Sequence, residues 1–397
     1  MTFVTYEATR TGSPILLLRL LAWLRAHSDL DLEVLCWRGG PLVDELRAVA
    51  DVVVLAPLGR RTPGELLATV TDEVGLRGLG RRLSAGRVAL GRRGQHPPDL
   101  IYLNGAPSFV ALPHLGGAPV LAHVHELEFA LGRSLAPADR SLLGRADRYL
   151  AVAQVVADNL VERHRIAEGS VGVLHGFVDD DAPDVVDDPA RLRARLGIPA
   201  DAMVVGVVGD LIWRKGPDLF VQLAARVIGL TRAVGEPDPH FVWVGGRPGT
   251  GVHAEVCQDV QAMGLGGRLH LVGEQEHVAA WHAMFDVHAI TSREEPFPLV
   301  MLEAARAGRP TVCFDAGGAP EFLAVPGDEA GVVVSDLDVA AMAEVVHDLL
   351  GDDVRRATLG RRGADRVRRH HLTSMLAPRV LAEIEALLAP VAETATP

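Results

Sequence analysis

The chain is expected to fold as α/β, with two doubly wound, Rossmann-like domains. Three observations lead there. Short apolar runs alternate with longer segments of helical periodicity, the pattern of a parallel sheet buried on both faces. That alternation occurs twice, on either side of an Asp- and Pro-rich stretch at 177–201 that reads as a linker. With 397 residues, 48% of them hydrophobic, the chain can fill two or three cores of ordinary size.

In the first half the strand candidates are FVTY, LEVLCW, DVVVL, DLIYLN, VLAHVH, RYLAVA and VGVLHG. Helices are expected at ILLLRLLAWLRAH, LVDELRAVA and VADNLVERHRI. In the second half MVVGVVG, HFVWVGG, RLHLVG, DVHAIT, PTVCF and GVVV repeat the plan. The helices there are PDLFVQLAARVIGL, VAAWHAMF, PLVMLEAARAG and AAMAEVVHDLLG. A last helix, LAPRVLAEIEALL, follows the RRHHLTS segment. The expected divisions are 1–180, 181–372 and a terminal helical segment, 373–397. Ligands of such sheets bind beyond the carboxyl ends of the strands, and two sheets facing each other make a cleft.

The formal net charge of −12, divided as −1 over 1–180 and −11 over 181–397, argues against nucleic acid as a partner. Cys36, Cys257 and Cys313 are far apart and not in metal-ligand spacing, as expected in a reducing compartment without structural zinc. MTFVTYEATRTG lacks the form of a signal peptide. The most apolar run, SPILLLRLLAWLRAH, is short and is broken by Arg19 and Arg25, so it reads as a packed helix rather than a span. These features suggest a cytoplasmic protein. Between Arg77 and Arg93 there are six arginines and no acid. That segment reads either as a docking face for anionic lipid or an acidic acceptor, which would bring the chain to the inner face of a membrane, or as a solvated helix and loop.

The chemistry concentrates in two places. Of 39 basic residues 38 are arginine, and the one lysine is Lys215, in GVVGDLIWRKGPDLF. A compact ammonium on a flexible stem and a planar guanidinium are not interchangeable at a phosphate. The second place is DVHAITSREEPFPLVMLEAARAGRP, residues 286–310. A strand ends at Thr291 and Ser292, and a loop carries Glu295. Pro298 suits the first turn of a helix. The free N–H groups around Phe297, Pro298 and Leu299 would then offer an anion site at the positive end of the helix dipole. Glu295 and Glu303, eight positions apart, can be aimed into one cleft, where carboxylates accept from sugar hydroxyls.

EPFPLVMLE resembles the E-x7-E signature of the retaining glycosyltransferases of family 4, which have the GT-B fold. The words around it agree in order: VLHGFVD, VGDLIWRKGPDLF, FVWVGG, GGAPEFL and GVVVSDLDVAAMAEVVHDLL. The resemblance implies an acceptor-binding first domain, a nucleotide-sugar-binding second domain, and a terminal helix that packs back on the first. It implies that Lys215 holds the donor diphosphate, within the glycine–basic–lysine segment that begins at Gly209. Glu303 would hold the ribose and Glu295 the hydroxyls of the transferred sugar. The backbone from Phe297 through Pro298 and Leu299 to Val300 would hold the distal phosphate and sugar. Gly245 belongs to the glycine turn after the central strand. Gly12 matches the first glycine loop, and His125, with His123 as its rival, matches a histidine near the reacting carbon. Two departures stand out. Asp210 occupies a position where the family often has arginine, so Arg214 is the candidate replacement. The first loop has one glycine where two are usual.

The function implied is transfer of a sugar from a nucleoside-diphosphate sugar, the co-substrate, to a hydroxyl of a small-molecule, glycan or lipid-linked acceptor, with retention and with no metal or cofactor. Lys215, Arg214 and the helix amides would stabilise the leaving diphosphate. Alternatives are a sugar-nucleotide epimerase on the same fold and an inactive sugar-nucleotide-binding protein. A nicotinamide oxidoreductase would want G-x-G-x-x-G after its first strand, and VTYEATRTGSP lacks it. A pyridoxal-dependent phosphorylase would have to use Lys215 for its Schiff base. The neighbours of Lys215 suit a phosphate loop instead.

Overall fold

The computed structural model describes residues 1–56, 97–135, 137–181, 187–335 and 337–389. They form two units, Met1–His175 with the segment from Thr373 onward, and Gly176–Leu372.

The first unit is built on seven strands: β1 Thr2–Glu7, β2 Glu33–Arg38, β3 Asp51–Ala56, β4 Ile101–Asn104, β5 Val120–Val124, β6 Arg148–Ala151 and β7 Val171–Val173. They pair in parallel in the order β3-β2-β1-β4-β5-β6-β7. Phe3, Val4 and Thr5 are consecutive and all buried, which is why the strand shows no polar alternation. The helix Gly12–His27 buries Leu16, Leu17, Leu20, Leu21 and Leu24 and turns Arg25 outward, so its apolar run is a core stripe. The helix Thr373–Leu388 packs on it. Arg148 grips Glu383 with two hydrogen bonds of 2.8 Å, and Arg379 donates to the Val173 carbonyl at 3.0 Å.

The second unit has six parallel strands: β8 Val204–Val208, β9 His240–Val244, β10 Leu269–Leu271, β11 Val287–Ile290, β12 Thr311–Phe314 and β13 Gly331–Val334. Their order is β10-β9-β8-β11-β12-β13. Alternate residues of β8 serve two cores. Val205 and Val207 join Phe220, Leu223, Val227, Phe241 and Trp243 on one face. Val204 joins Val242, Val244, Trp281 and Phe285 on the other. In both sheets the winding reverses beside the first strand of the unit, between β1 and β4 and between β8 and β11. Loops that leave the carboxyl ends of two such neighbours diverge and open a crevice.

Three differences from the sequence reading have local causes. The second unit begins at Gly176, because the Val178 amide donates to the His371 carbonyl and Arg306 donates to the carbonyls of Asp179 and Asp180. The presumed linker contains a helix, Pro189–Leu196. Asp188 caps it by accepting from the Ala190 amide at 2.9 Å, and Gly197 closes it in the left-handed region. Its Leu192 enters the core beside Trp281. The helix Asp353–His370 carries seven arginines. It buries a narrow stripe that includes Leu359, Gly360, Gly363, Ala364 and Val367, too small in apolar bulk to show as a helical period. The Arg77–Arg93 segment lies outside the described residues. Among the described residues no helix is long and apolar enough to cross a membrane.

Gly206 in β8 lies under the ring of Phe285, and that ring occupies the space a β-carbon would take. Gly206→Ala is therefore expected to lower stability by about 1–3 kcal/mol, read as a reduced urea midpoint. Phe285→Leu in the same chain should recover part of the loss.

Candidate active site

The crevice of the second unit is walled by the loop after β8 and the loop after β11. The first is anchored to the sheet. The Gly209 amide donates to the Val244 carbonyl at 2.8 Å, and Trp243 Nε1 donates to the Gly209 carbonyl at 2.9 Å. Gly245 has φ +118°, and the Gly209 carbonyl fills the place of its missing side chain. A 3₁₀ turn, Trp213–Lys215, then presents Arg214 and Lys215. Gly216, at φ +67°, ends the turn with the Thr291 carbonyl against its α-carbon, so only glycine fits there. Pro217 starts the helix Pro217–Val234.

The second loop grips the first. Thr291 Oγ1 lies 3.1 Å from the Lys215 carbonyl and 3.0 Å from that of Gly216. The Arg293 amide donates to the Arg214 carbonyl at 2.7 Å. The Arg293 guanidinium donates to the Trp213 carbonyl at 2.8 Å and to both Asp218 oxygens at 2.9 and 2.6 Å. It also lies 4.8 Å over the Trp213 ring. This arginine is neutralised by its partner, so the charge facing the crevice comes from Arg214 and Lys215.

Both of these cations meet Glu295. Lys215 Nζ donates to Glu295 Oε2, Arg214 Nη1 stands 3.5 Å from the same oxygen, and Ser292 Oγ donates to it at 2.9 Å. Arg214 also donates to the Glu294 carbonyl at 2.7 Å. All three side-chain contacts to Glu295 fall on Oε2. Oε1 accepts from no protein group among the described residues. The Glu295 side chain is 10% exposed. Burial alone would raise its pKa, but Lys215 and Arg214 outweigh burial and hold the carboxyl below its usual range. Burial pushes the Lys215 ammonium below its ordinary value. Glu295 opposes that shift and Arg214 reinforces it. Asp210 adds a further, smaller opposing effect.

Pro298 is the cap of the helix Leu299–Arg306 and not, as expected, a residue of its first turn. Its ψ of 118° is extended, so the chain enters the helix one residue later. The Met301 amide turns back to the Pro298 carbonyl at 3.1 Å. The amides of Leu299 and Val300 donate to no carbonyl among the described residues. Phe297 stacks on His371 at 5.8 Å, and His371 Nδ1 donates to the Gly176 carbonyl at 3.0 Å. Leu299 and Phe297 pack against Gly176 where a side chain would stand. Glu303 lies half-buried one turn along the helix, with its Oε2 3.7 Å from His282 Nε2.

Gly12 and His125 belong to the first unit. Gly12 is the exposed first residue of the helix Gly12–His27. His125 follows β5, and its Nε2 lies 3.0 Å from Asn104 Oδ1. The Asn104 amide nitrogen donates to the Ser13 carbonyl at 3.2 Å and to Thr5 Oγ1 at 3.4 Å. This network assigns the proton of His125 to Nε2 and leaves Nδ1 as an acceptor. Burial, then the nearby His123, hold the His125 pKa well below its usual value. His123 is fully buried beside Tyr102, 2.7 Å from its hydroxyl, and burial lowers its pKa to about 3. Of the two, His125 is the less buried residue.

Sequence reasoning did not assign work to Asn104, Ser292, Arg293 or His371. Asn104 and Ser292 are polar residues at the carboxyl ends of apolar strands, a usable signal. Arg293 and Asp218 are 75 positions apart, and nothing in one sequence links them.

Residues 42–182 match the family described as Glycosyltransferase Family 4, and residues 202–352 match the one described as Glycosyl transferases group 1. A D-inositol 3-phosphate glycosyltransferase of Streptomyces avermitilis is 32% identical over 254 residues, which cover 62% of this chain and 54% of that protein. A GDP-mannose-dependent alpha-(1-6)-phosphatidylinositol monomannoside mannosyltransferase of Mycolicibacterium smegmatis is 33% identical over 287 residues, 67% of this chain and 71% of that protein. The chain spans about half the length of the D-inositol 3-phosphate glycosyltransferases it matches. The crystal structure of Anabaena HepE in complex with UDP-glucose superposes with a TM-score of 0.78 over 97% of this chain and 99% of that one, at 19% identity. Its likeness is one of fold. With two parallel sheets and matches in both halves, the chain belongs to glycosyltransferase family 4 and has the GT-B fold.

Proposed function

We propose that the protein transfers a sugar from a nucleoside-diphosphate sugar to a hydroxyl acceptor, with retention at the anomeric carbon and without a metal ion. The observation that carries this reading is the meeting of Lys215, Arg214 and Ser292 on one oxygen of Glu295, in the crevice between β8 and β11. Its two cations and the nearby Leu299 and Val300 amides suit a diphosphate. The open Oε1 of Glu295 suits a sugar hydroxyl, which would donate to it.

The reaction needs charge stabilisation above all. As the anomeric C–O bond breaks, electrons move onto the diphosphate. Lys215 and Arg214 are already fixed against that developing charge, so little reorganisation is required. Arg214 takes the part of the arginine that Asp210 displaces. Glu303 holds the ribose. The acceptor oxygen bonds to the anomeric carbon on the face the diphosphate leaves, and its proton passes to the departing phosphate oxygen. By the family resemblance, His125, held neutral by burial, would accept a hydrogen bond from the substrate. The relatives act on inositol-containing acceptors by name, one from GDP-mannose, and HepE binds UDP-glucose. These chemistries frame the candidates for donor and acceptor here. A lipid-linked acceptor would bring a cytoplasmic enzyme to the inner face of the membrane.

The deciding experiment is a panel of UDP-, GDP- and ADP-sugars, scored by thermal stabilisation and then by nucleotide release with acceptor. One donor should stabilise the chain, and its transfer should persist in chelator. An epimerised donor formed without acceptor would instead favour the epimerase. Lys215→Ala should lower kcat by about 10²–10³-fold. Wild-type turnover at saturating donor would remove Lys215 from the mechanism. Glu295→Gln should depress kcat much more than affinity for the free nucleoside diphosphate, measured by calorimetry.

A pH dependence follows from the lowered Lys215 pKa. A bound diphosphate adds negative charge and raises that pKa, so the complex holds more protons than the free enzyme at alkaline pH. Affinity should fall as pH rises through the free enzyme's Lys215 titration. Calorimetry in two buffers of different ionisation enthalpy should register proton uptake there.

A further inference from the structure

His282 lies in the helix Ala279–Met284, 1% exposed, and neither ring nitrogen has a hydrogen-bond partner among the described residues. An imidazole always carries at least one N–H, and burying it unpaired is costly. The Glu303 carboxylate is the charged group in reach. Its Oε2 is 3.7 Å from Nε2, just beyond hydrogen-bonding distance. The histidine is walled in. Phe285 stands at 5.9 Å and 76°, and His288 at 5.5 Å and 70°. His288 is itself fixed to Thr311 Oγ1 at 3.1 Å. The Glu303 side chain is 21% exposed. The carboxylate is the more exposed of the two groups, and an approach of about 0.8 Å would bring the pair to a charge-assisted hydrogen bond.

We propose that His282 is a positioning residue for Glu303. It donates from Nε2 to Oε2, fixes the carboxylate, and so aims Oε1 at the ribose hydroxyls of the donor. This rests on the reading of Glu303 as the ribose-binding group. It makes His282 a determinant of the preference for ribose over deoxyribose nucleotides. A hydroxyl lost from the ligand removes one hydrogen bond from an aimed, partly desolvated carboxylate. A carboxylate that is not aimed discriminates less.

The test measures binding of UDP and GDP, each against its 2′-deoxy and 3′-deoxy form, to the full chain by calorimetry. Wild type should favour the ribose form, and Glu303→Gln should lose that preference. His282→Leu should reduce the preference about tenfold while affinity for the deoxy forms changes little. His282→Gln, whose amide can donate, should restore it. A merely structural histidine would weaken both ligand classes alike. A wild-type ratio in folded His282→Leu overturns the proposal. If that variant does not fold, nitrogen NMR of wild-type imidazoles decides. Saturation with nucleotide should move the His282 Nε2–H resonance to a hydrogen-bonded position in wild type but not in Glu303→Gln, and an unmoved resonance overturns the proposal. Ribose selectivity that depends on Glu303 but not on His282 refutes only this inference. A chain that binds neither nucleotide refutes the donor reading as well.

Discussion

The second unit is organised around one buried carboxylate oxygen. Taking Glu295 out of water carries a cost of several kcal/mol, and the protein offsets it with an ammonium, a guanidinium and a hydroxyl on the same Oε2. The two loops that supply these groups are tied by further bonds from Thr291 and Arg293. Neither loop could move without leaving a buried charge unmatched. The geometry that would receive a diphosphate is thus held by the resting protein's own electrostatics. The charge that ties the two loops together is the same charge that the proposed chemistry would use.

Backbone proximity makes this arrangement possible. Gly216 lies against the Thr291 carbonyl, Gly245 against the Gly209 carbonyl and Gly317 against the Glu295 carbonyl. Each glycine lets one crossover loop press on another where a side chain would force them apart. The Glu295 amide donates to the Ala316 carbonyl at 2.8 Å, and its own carbonyl accepts from the Gly318 amide at 3.1 Å. Glu295 is therefore held at backbone and side chain alike, by loops from three neighbouring strands. The first unit uses a different device. Asn104, at the end of β4, orients its amide through Ser13 and Thr5 and thereby sets the tautomer of His125.

The strands were legible because they are buried on both faces and so write uninterrupted apolar runs. Phe3-Val4 and Phe241-Val242-Trp243 are examples. Lys215 and Glu295 were legible for another reason. One is the chain's lone lysine, and the other stands before a proline-led helix. What stayed hidden depends on tertiary partners. Pro189–Leu196 looked like linker because its polar faces dominate and only Leu192 is buried. Asp353–His370 hid behind its arginines, since glycine and alanine form much of its buried stripe. His282 sits in an apolar helix beside Trp281 and reads as core. Its distinction is a missing partner, and only coordinates show that.

The second unit is a self-contained cassette inserted into the first. The chain enters it at Gly176 and leaves at Leu372. Val178 and Leu372 form a parallel bridge, and the Val178 amide donates to the His371 carbonyl at 2.9 Å. Its entry and exit are thus clasped to each other. Such adjacency favours excision or circular permutation of the second unit as a piece. The first unit has no such freedom. A cut after Leu372 strips it of the Arg148–Glu383 clasp and of the cover over its first helix, so its two stretches of sequence must be supplied together.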